Sequence, residues 1–481
     1  MSSVTTIPQN GDPVELSAFG VQVSPTTLIF GSGTDPAPID KTVTHELKLK
    51  NTRSSSVWVS VAPVVDAKDS LKYNLAVDHP VPFVVDGEGE QTVRVAIRVL
   101  CTTRLAIEIS LKTWHDNDVR FKETKFKISV ESEASTKLDP DELRKDTELG
   151  EGGFGVVFSG TYRGREVAIK MPKNREFFKP EDQISFDREV NMMEKWRHET
   201  IVEFVGAVII SGKQAIVTEL CPFGSLDNAM EKHLDKFDER MKVKCLLNTS
   251  DAMNFLHSNG VMHRDLKPEN LLVVSLNWRD SVVVKLTDFG TTRAEKRIQE
   301  THMKRISGKT KTLNVGTSAY MAPEVSYSKE YDKSVDVYSF AMLMYTIFSD
   351  GISPFEDKTL SGKDPYGKVI SGKRPSIPSS CSEDIAKLMK LCWDGTPSKR
   401  PKFDRIHAFF EEYFLECRYG KEGAKAIPKA GALLNKMPQL ESEEELVWIS
   451  GGGTDYEHLC ELLKANTIPT KRLEFKGLRK Q

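Results

Sequence analysis

At 481 residues the chain is too long for one ordinary core, and the usual domain size of about 100 to 200 residues predicts two to four domains. Hydrophobic residues at 39% and charged residues at 28% mark a soluble globular composition, and a formal net charge of −2 excludes a global pull toward nucleic acid or an anionic membrane. The longest apolar run, around Tyr338 to Phe348, falls far short of the ~20 residues that span a bilayer, so no transmembrane segment is expected.

Seven cysteines (Cys101, Cys221, Cys245, Cys381, Cys392, Cys417 and Cys460) are scattered without disulfide or zinc spacing, which points to a reducing compartment. The chain starts Met-Ser-Ser-Val-Thr-Thr-Ile-Pro-Gln-Asn and lacks the basic and apolar regions of a signal peptide, so a cytoplasmic protein is expected. Residues 1–13 are read as a disordered start.

Over residues 14–131 the apolar positions alternate in short runs: Leu47 and Leu49; Val57, Val59 and Val61; Val93, Val95, Ile97 and Val99; Ile107, Ile109 and Leu111; Phe126, Ile128 and Val130. Alternation is the pattern of strands with one face in a core and one in water. Polar turns at Gly31-Ser-Gly, Asn51-Thr-Arg-Ser-Ser-Ser and Asp86-Gly-Glu-Gly-Glu separate them, and about seven strands predict an antiparallel, all-β immunoglobulin-like sandwich. Lys48, Lys50, Arg94 and Arg98 alternate with core positions and are read as a solvated outer face. Ser24-Pro25 before Leu28-Ile-Phe30, then Leu47-Lys-Leu-Lys-Asn51, then a Gly-Glu-Gly turn before Val93-Arg-Val-Ala-Ile, resembles the major sperm protein or PapD-like branch. That resemblance implies a module for short peptide motifs; a sandwich that only packs on its neighbour is the alternative. Residues 132–142 are polar, contain Pro140 and read as a linker.

From 143 to 416 a series of motifs recurs in fixed order: Leu-Gly-Glu-Gly-Gly-Phe-Gly-Val-Val at 149 to 157, Val-Ala-Ile-Lys at 167 to 170, an acidic Glu189, His-Arg-Asp-Leu-Lys-Pro-Glu-Asn at 263 to 270, Asp-Phe-Gly at 288 to 290 and Ala-Pro-Glu at 322 to 324. Glycines 150, 152 and 155 let backbone amides approach phosphate oxygens. Gly-x-Gly-x-x-Gly also occurs in dinucleotide-binding folds, but there a helix follows, whereas Val156-Val-Phe-Ser-Gly-Thr-Tyr reads as a strand. No Gly-Lys-Ser/Thr follows, which excludes a P-loop.

The set resembles the eukaryotic protein kinases, which implies an α+β bilobal fold, ATP, Mg²⁺ (with Mn²⁺ as an alternative metal) and protein substrates. By that resemblance Asp265 is the catalytic base, Lys267 neutralises the transferring phosphoryl group, and Lys170, oriented by Glu189 on a helical stretch from Ile184 to Trp196, pairs with the α- and β-phosphates. Asn270 and Asp288 are the metal ligands. Gly150, Gly152, Gly153, Phe154 and Gly155 cover the phosphates; Leu149, Val157 and Ala168 lie above the adenine and Leu272 below it. Thr218 guards the back of that pocket, with Glu219 to Cys221 as hinge.

Lys267 and the run Gly316-Thr-Ser-Ala-Tyr-Met-Ala-Pro-Glu324 are similar to serine/threonine kinases, where Thr317 would bond near Asp265 and Lys267. Asp336-Val-Tyr-Ser-Phe-Ala, Pro354-Phe355, Gly372-Lys-Arg-Pro and Leu391-Cys-Trp resemble the tyrosine kinase-like group. There Asp336 ties down the catalytic loop and Arg400 pairs with Glu324; Ala341 replaces a common glycine. The segment from Asp288 to Glu324 carries a basic, hydroxyl-rich insertion (291–312), with Thr301, Ser307, Thr310 and Thr312 as expected phosphorylation sites whose phosphates would meet Arg264. A shorter insertion runs from Ser275 to Ser281. The extension 417–481 is lysine-rich, then acidic, with a short helix expected over Asp455 to Ala465 and a final stretch similar to one leucine-rich unit. The chain is thus expected to be a multidomain serine/threonine protein kinase, with dual specificity open; the rival readings are a pseudokinase and an adaptor whose sandwich binds peptides.

Overall fold

The computed structural model describes residues 20–64, 71–115, 121–152, 155–173, 180–210, 212–294, 318–327 and 331–426. The chain divides into two compact units: one runs to Lys195 and includes Phe204–Leu220, and the other comprises Trp196–Glu203 and the chain from Cys221 onward.

The first unit opens with nine strands: β1 (Val21–Ser24), β2 (Thr27–Phe30), β3 (Thr42–Asn51), β4 (Val57–Val64), β5 (Tyr73–Val77), β6 (Phe83–Val85), β7 (Glu90–Val99), β8 (Arg104–Trp114) and β9 (Lys122–Glu131). They form sheets of order β1-β3-β7-β5 and β2-β9-β8-β4-β6. Leu47, Leu49, Val93, Val95, Ile97, Ile109 and Ile128 point inward and are fully buried in one shared core. The alternation predicted this, because every second side chain of a strand points to the same face. Among the described strands of this part, β2 departs from the expected antiparallel pattern and runs parallel to β9. Hydrophobic period fixes which residues face inward, not the direction of the neighbouring strand.

Lys48, Lys50, Arg94 and Arg98 are exposed. Lys48, Arg94 and Arg98 meet Glu90, Glu46 and Asp40 at 4.0, 3.9 and 3.5 Å, as on a solvated face. Asn51, quoted above as a turn residue, is fully buried; its Nδ2 donates to the carbonyls of Ser55 and Asp86 at 2.8 and 3.1 Å and so joins two turns.

The unit continues as a five-stranded antiparallel sheet of order β10-β11-β12-β14-β13, from β10 (Leu143–Gly152), β11 (Gly155–Tyr162), β12 (Arg165–Met171), β13 (Phe204–Val208) and β14 (Ala215–Glu219), with α1 (Pro180–Lys195) between β12 and β13. A strand, not a helix, follows the glycine run, in accord with the hairpin reading.

The second unit is mainly helical. It holds α2 (Leu226–His233), α3 (Glu239–Ser258), α4 (Glu324–Tyr327), α5 (Ser334–Phe348), α6 (Pro365–Ile370), α7 (Glu383–Cys392) and α8 (Phe403–Ala426), with short strands β15 (Val261–Met262), β16 (Leu271–Val273), β17 (Val284–Leu286) and β18 (Arg293–Ala294). Asp238 starts α3 by accepting the Met241 N–H at 2.9 Å. Helix α5 is buried on every side from Val335 to Phe348, and its sequence is accordingly apolar apart from the hydrogen-bonded Asp336, Ser339 and Thr346. Ala341 sits fully buried within it. Among the described residues no helix is long and apolar enough to cross a membrane.

Candidate active site

In the first unit, Val167 and Ile169 of β12 enter the sheet's apolar core, and the period of two places Ala168 and Lys170 on the opposite face. Lys170 Nζ donates to Glu189 Oε1 of α1 at 2.6 Å. The Glu189 side chain is only 8% exposed, and a carboxylate so enclosed needs a cationic partner. Val157 of β11 is the register partner of Lys170, and Ala168 is the partner of Thr218 on β14. The Thr218 hydroxyl donates to the Glu219 carbonyl at 3.2 Å.

A Cβ on Gly155 would lie 2.2 Å from the Met171 carbonyl oxygen, so only glycine lets β11 close on the end of β12. Gly152 pairs with Gly155 at the tip of the hairpin, Gly150 is open to space, and Leu149 is exposed. Gly153 and Phe154 lie outside the described residues. The division into units falls between Leu220 and Cys221, within the expected hinge, and Leu272 belongs to β16 of the second unit.

In the second unit the His-Arg-Asp loop is fastened from below by Asp336 of α5. Its Oδ2 accepts the His263 N–H at 2.9 Å and bonds His257 Nε2 at 2.9 Å, while Oδ1 accepts the Arg264 N–H at 2.7 Å. Burial works to raise the Asp336 pKa. The His257 hydrogen bond and charge, the nearby His263 and the Arg264 amide outweigh it and hold the carboxyl below its ordinary value.

Arg264 and Asp288 both adopt left-handed backbone, with φ of 69° and 62°. Such residues cost about 1–3 kcal/mol each and persist only where the surroundings over-determine them. For Arg264 those surroundings are Asp336 at its N–H, the Thr291 carbonyl 2.8 Å from Nε and the Tyr331 hydroxyl 3.2 Å from Nη1. For Asp288, Phe289 is buried edge-on against His263 at 5.7 Å, the His263 ring bonds the Thr287 carbonyl at 3.0 Å, and Gly290 N–H donates to Asp288 Oδ1 at 3.3 Å.

On this loop Asp265 Oδ2 meets Lys267 Nζ at 3.1 Å and Asn270 Nδ2 at 3.0 Å; Nδ2 also donates to the Asp265 carbonyl at 2.6 Å. Thr287 N–H donates to the Asn270 carbonyl at 2.9 Å, tying the loop to the segment after β17 that carries Asp288. With the Asn270 amide nitrogen engaged on Asp265, its Oδ1 is the atom suited to a hard cation. Among the described residues no cluster of three or more His, Cys, Asp or Glu could hold a metal alone. A sparse oxygen set fits Mg²⁺, which keeps water and substrate phosphates among its ligands.

Deeper in this unit, Arg400 forms a two-pronged bond to Glu324, Nη1 to Oε1 at 2.5 Å and Nη2 to Oε2 at 3.0 Å, with both residues buried. Thr317 and the four expected phosphorylation sites, like the Asp455 to Ala465 helix, lie outside the described residues. Two contributors were not legible beforehand: His257, which supports Asp336, and Tyr331, which supports Arg264. Neither stands in a motif; a histidine near a helix end and a tyrosine in a polar stretch carry no signal until the chain is folded.

The family described as protein tyrosine and serine/threonine kinase matches residues 143–410. The probable serine/threonine-protein kinase gdt2 of Dictyostelium discoideum is 33% identical over 290 residues, covering 59% of this chain and 16% of that protein. The serine/threonine-protein kinase STY17 of Arabidopsis thaliana is 34% identical over 284 residues, covering 58% of this chain and 46% of that one. The serine/threonine/tyrosine-protein kinase HT1, also of Arabidopsis thaliana, is 32% identical over 279 residues, covering 57% of this chain and 67% of that one. The chain therefore spans less than half the length of the first two relatives and about two thirds of the third. The family match starts on the first strand of the small-lobe sheet, ends within the last helix and takes in more than half of the sequence; the chain belongs to the protein tyrosine and serine/threonine kinase family.

Proposed function

We propose that the protein transfers the γ-phosphate of ATP, with Mg²⁺ or alternatively Mn²⁺, to serine or threonine hydroxyls of protein substrates. The observation that carries this reading is the gathering of a carboxylate, an ammonium and an amide on one loop, with Asp265 Oδ2 within 3.1 Å of Lys267 and 3.0 Å of Asn270. Asp265 takes or orients the proton of the substrate hydroxyl as its oxygen bonds to the γ-phosphorus and ADP leaves. Lys267 offsets charge on the phosphoryl group in flight. Lys170, held straight by Glu189, pairs with the α- and β-phosphates. Asn270 and Asp288 would hold the metal, which supplies Lewis-acid neutralisation of phosphate charge.

Gly150, Gly152, Gly153, Phe154 and Gly155 are read as the phosphate cover. Leu149, Val157, Ala168, Thr218, Glu219, Cys221 and Leu272 are read as the adenine surround. We take residues 14–131 as a sandwich domain, 132–142 as its connection and 143–416 as the kinase domain, flanked by 1–13 and 417–481. Three relatives carry names that include tyrosine or dual specificity, so tyrosine is a second acceptor in this reading. Among the described residues six cysteines stand as thiols without a disulfide, four of them buried, which supports a reducing, cytoplasmic setting. For the sandwich the reading is partner binding through a short peptide motif, supported by the stacked pair Trp58 and Trp114 beside exposed Val84 on one sheet face. Capture of the same peptides by full-length protein and by a Trp58→Lys variant would count against it.

The test of the enzyme is transfer of labelled γ-phosphate by purified full-length protein, to itself and to a generic basic protein, beside Asp265→Asn. Metal-dependent labelling of serine or threonine that falls by about 10²- to 10⁴-fold in the variant is the expected result. Equal labelling by both proteins would overturn the role given to Asp265.

A further inference from the structure

The segment between sandwich and small-lobe sheet is bonded on both sides. Thr102 N–H of the sandwich donates to the Lys137 carbonyl at 2.8 Å; Leu138 N–H donates to the Ala207 carbonyl of β13 at 2.9 Å, and Ala207 N–H returns to the Thr136 carbonyl at 2.7 Å. Residues 136 to 138 thus behave as an added strand along β13. Leu138, 2% exposed, enters the sheet's apolar core with Val167, Ile169, Val208 and Val217. A Cβ on Gly206 would lie 2.5 Å from the Thr136 carbonyl oxygen and 2.6 Å from Leu138 Cδ2, so β13 carries glycine where the segment crosses it.

The next residue locks the segment to the sandwich. Asp139 accepts the Thr103 hydroxyl at 2.5 Å and meets Lys72 Nζ at 3.0 Å, and Lys72 also meets Asp141 at 2.6 Å. The Lys72 and Asp139 side chains are each 4% exposed, and enclosed charges of this kind hold their partners because release would strand them. On the other side the Thr136 hydroxyl donates to Glu194 Oε1 at 2.5 Å. Glu194 lies in the last turn of α1, five residues beyond Glu189, or about 7.5 Å along the axis. The described ties of helix α1 to its own unit include Gln183 to Gln214 at 3.4 Å, Glu189 to Lys170 at 2.6 Å, and Glu194 to Thr136.

We propose that Thr136 is a positioning residue for phosphoryl transfer: held in place by the sandwich, it fixes the end of α1 so that Glu189 meets Lys170. The inference rests on the kinase reading above. It makes the sandwich part of the apparatus that sets activity, acting through its joint to the small-lobe sheet.

The test uses the full-length protein with Thr136→Val, which keeps the shape and removes the donor, and Thr136→Ser, which restores it. Thr136→Val is expected to lower kcat/KM for MgATP by about 3- to 10-fold, with KM for a peptide substrate and the melting midpoint unchanged, and Thr136→Ser to recover most of the loss. Combining Thr136→Val with Glu194→Ala should cost no more than either change alone. Hydrogen exchange over residues 183–195 is read in parallel and should speed up in Thr136→Val. If Thr136→Val keeps full activity while Asp265→Asn in the same assay loses it, the positioning role falls and the kinase stands. If the wild type transfers nothing, the kinase reading falls, and exchange alone decides the tie: unchanged protection in Thr136→Val overturns it.

Discussion

In the large lobe, the loop bearing Asp265 rests on Asp336, a fully buried carboxylate that accepts two backbone N–H groups and a histidine, and its strained Arg264 is bonded on three sides. In the small lobe, Lys170 and Glu189 meet through one ion pair between a strand and a helix, and the helix is tied at its ends by side chains with partly exposed surroundings. The first arrangement is built into a core and cannot shift without leaving buried polar groups unpaired. The second has a more open side, since the Lys170 side chain is 23% exposed and the ties at the ends of α1 lie in part-buried to exposed surroundings. The difference predicts where substitutions will act on folding and where on rate alone.

Asp265→Asn gives the largest expected effect, a loss of about 10²- to 10⁴-fold in transfer with folding intact, checked by rate assays beside thermal melts. Next is the buried Arg400 and Glu324 pair, 76 residues apart in sequence. Arg400→Met leaves Glu324 buried without its partner and should cost about 3–5 kcal/mol in urea unfolding, a loss of fold as well as activity. Glu189→Gln sharpens the contrast from the small-lobe side. It should lower kcat/KM for ATP by roughly tenfold to a hundredfold while the unfolding midpoint stays near wild type. A large drop in stability there would break the division drawn above.

The pH dependence of stability probes the Asp336 support. Its folded pKa lies below the ordinary 3.8, because hydrogen bonds and positive neighbours outweigh burial. The charged carboxylate therefore contributes in full above that ordinary value, and the contribution is lost as the pH falls through the folded value. Asp336→Asn should flatten the acid limb of the stability curve in addition to lowering its plateau; an acid limb identical to wild type would remove Asp336 from this account. The smallest effect is expected on the sandwich's outer face. Lys48→Ala, which removes a 4.0 Å contact with Glu90 between two half-exposed side chains, should change stability by about 0–1 kcal/mol.

Much of this architecture was legible in the sequence, and for separable reasons. Alternating Val93, Val95, Ile97 and Val99 announce a half-buried strand whatever surrounds them, because the period of two is a property of the extended backbone. The parallel partnership of β2 with β9 was not legible, since the same pattern serves either direction. Residues 132–142 read as polar and therefore as a connection. Composition could not reveal that Thr136 and Leu138 would extend a sheet, or that Lys72 would bury its charge on Asp139.

By itself the sequence determined the strand and helix periods, the order of the motifs, and the residue types that the proposed phosphoryl transfer would use: Asp265 read as base, Lys170 and Lys267 as cations, Asn270 and Asp288 as oxygen donors. These are local properties, set by side-chain chemistry and short-range spacing. Only the tertiary structure decided which groups meet across large sequence gaps: His257 with Asp336, Arg264 with Tyr331, Thr136 with Glu194. Those contacts depend on how whole elements pack. A hydrogen bond closing a loop of 58 to 79 residues is selected by the fold around it and leaves no mark in the residues between.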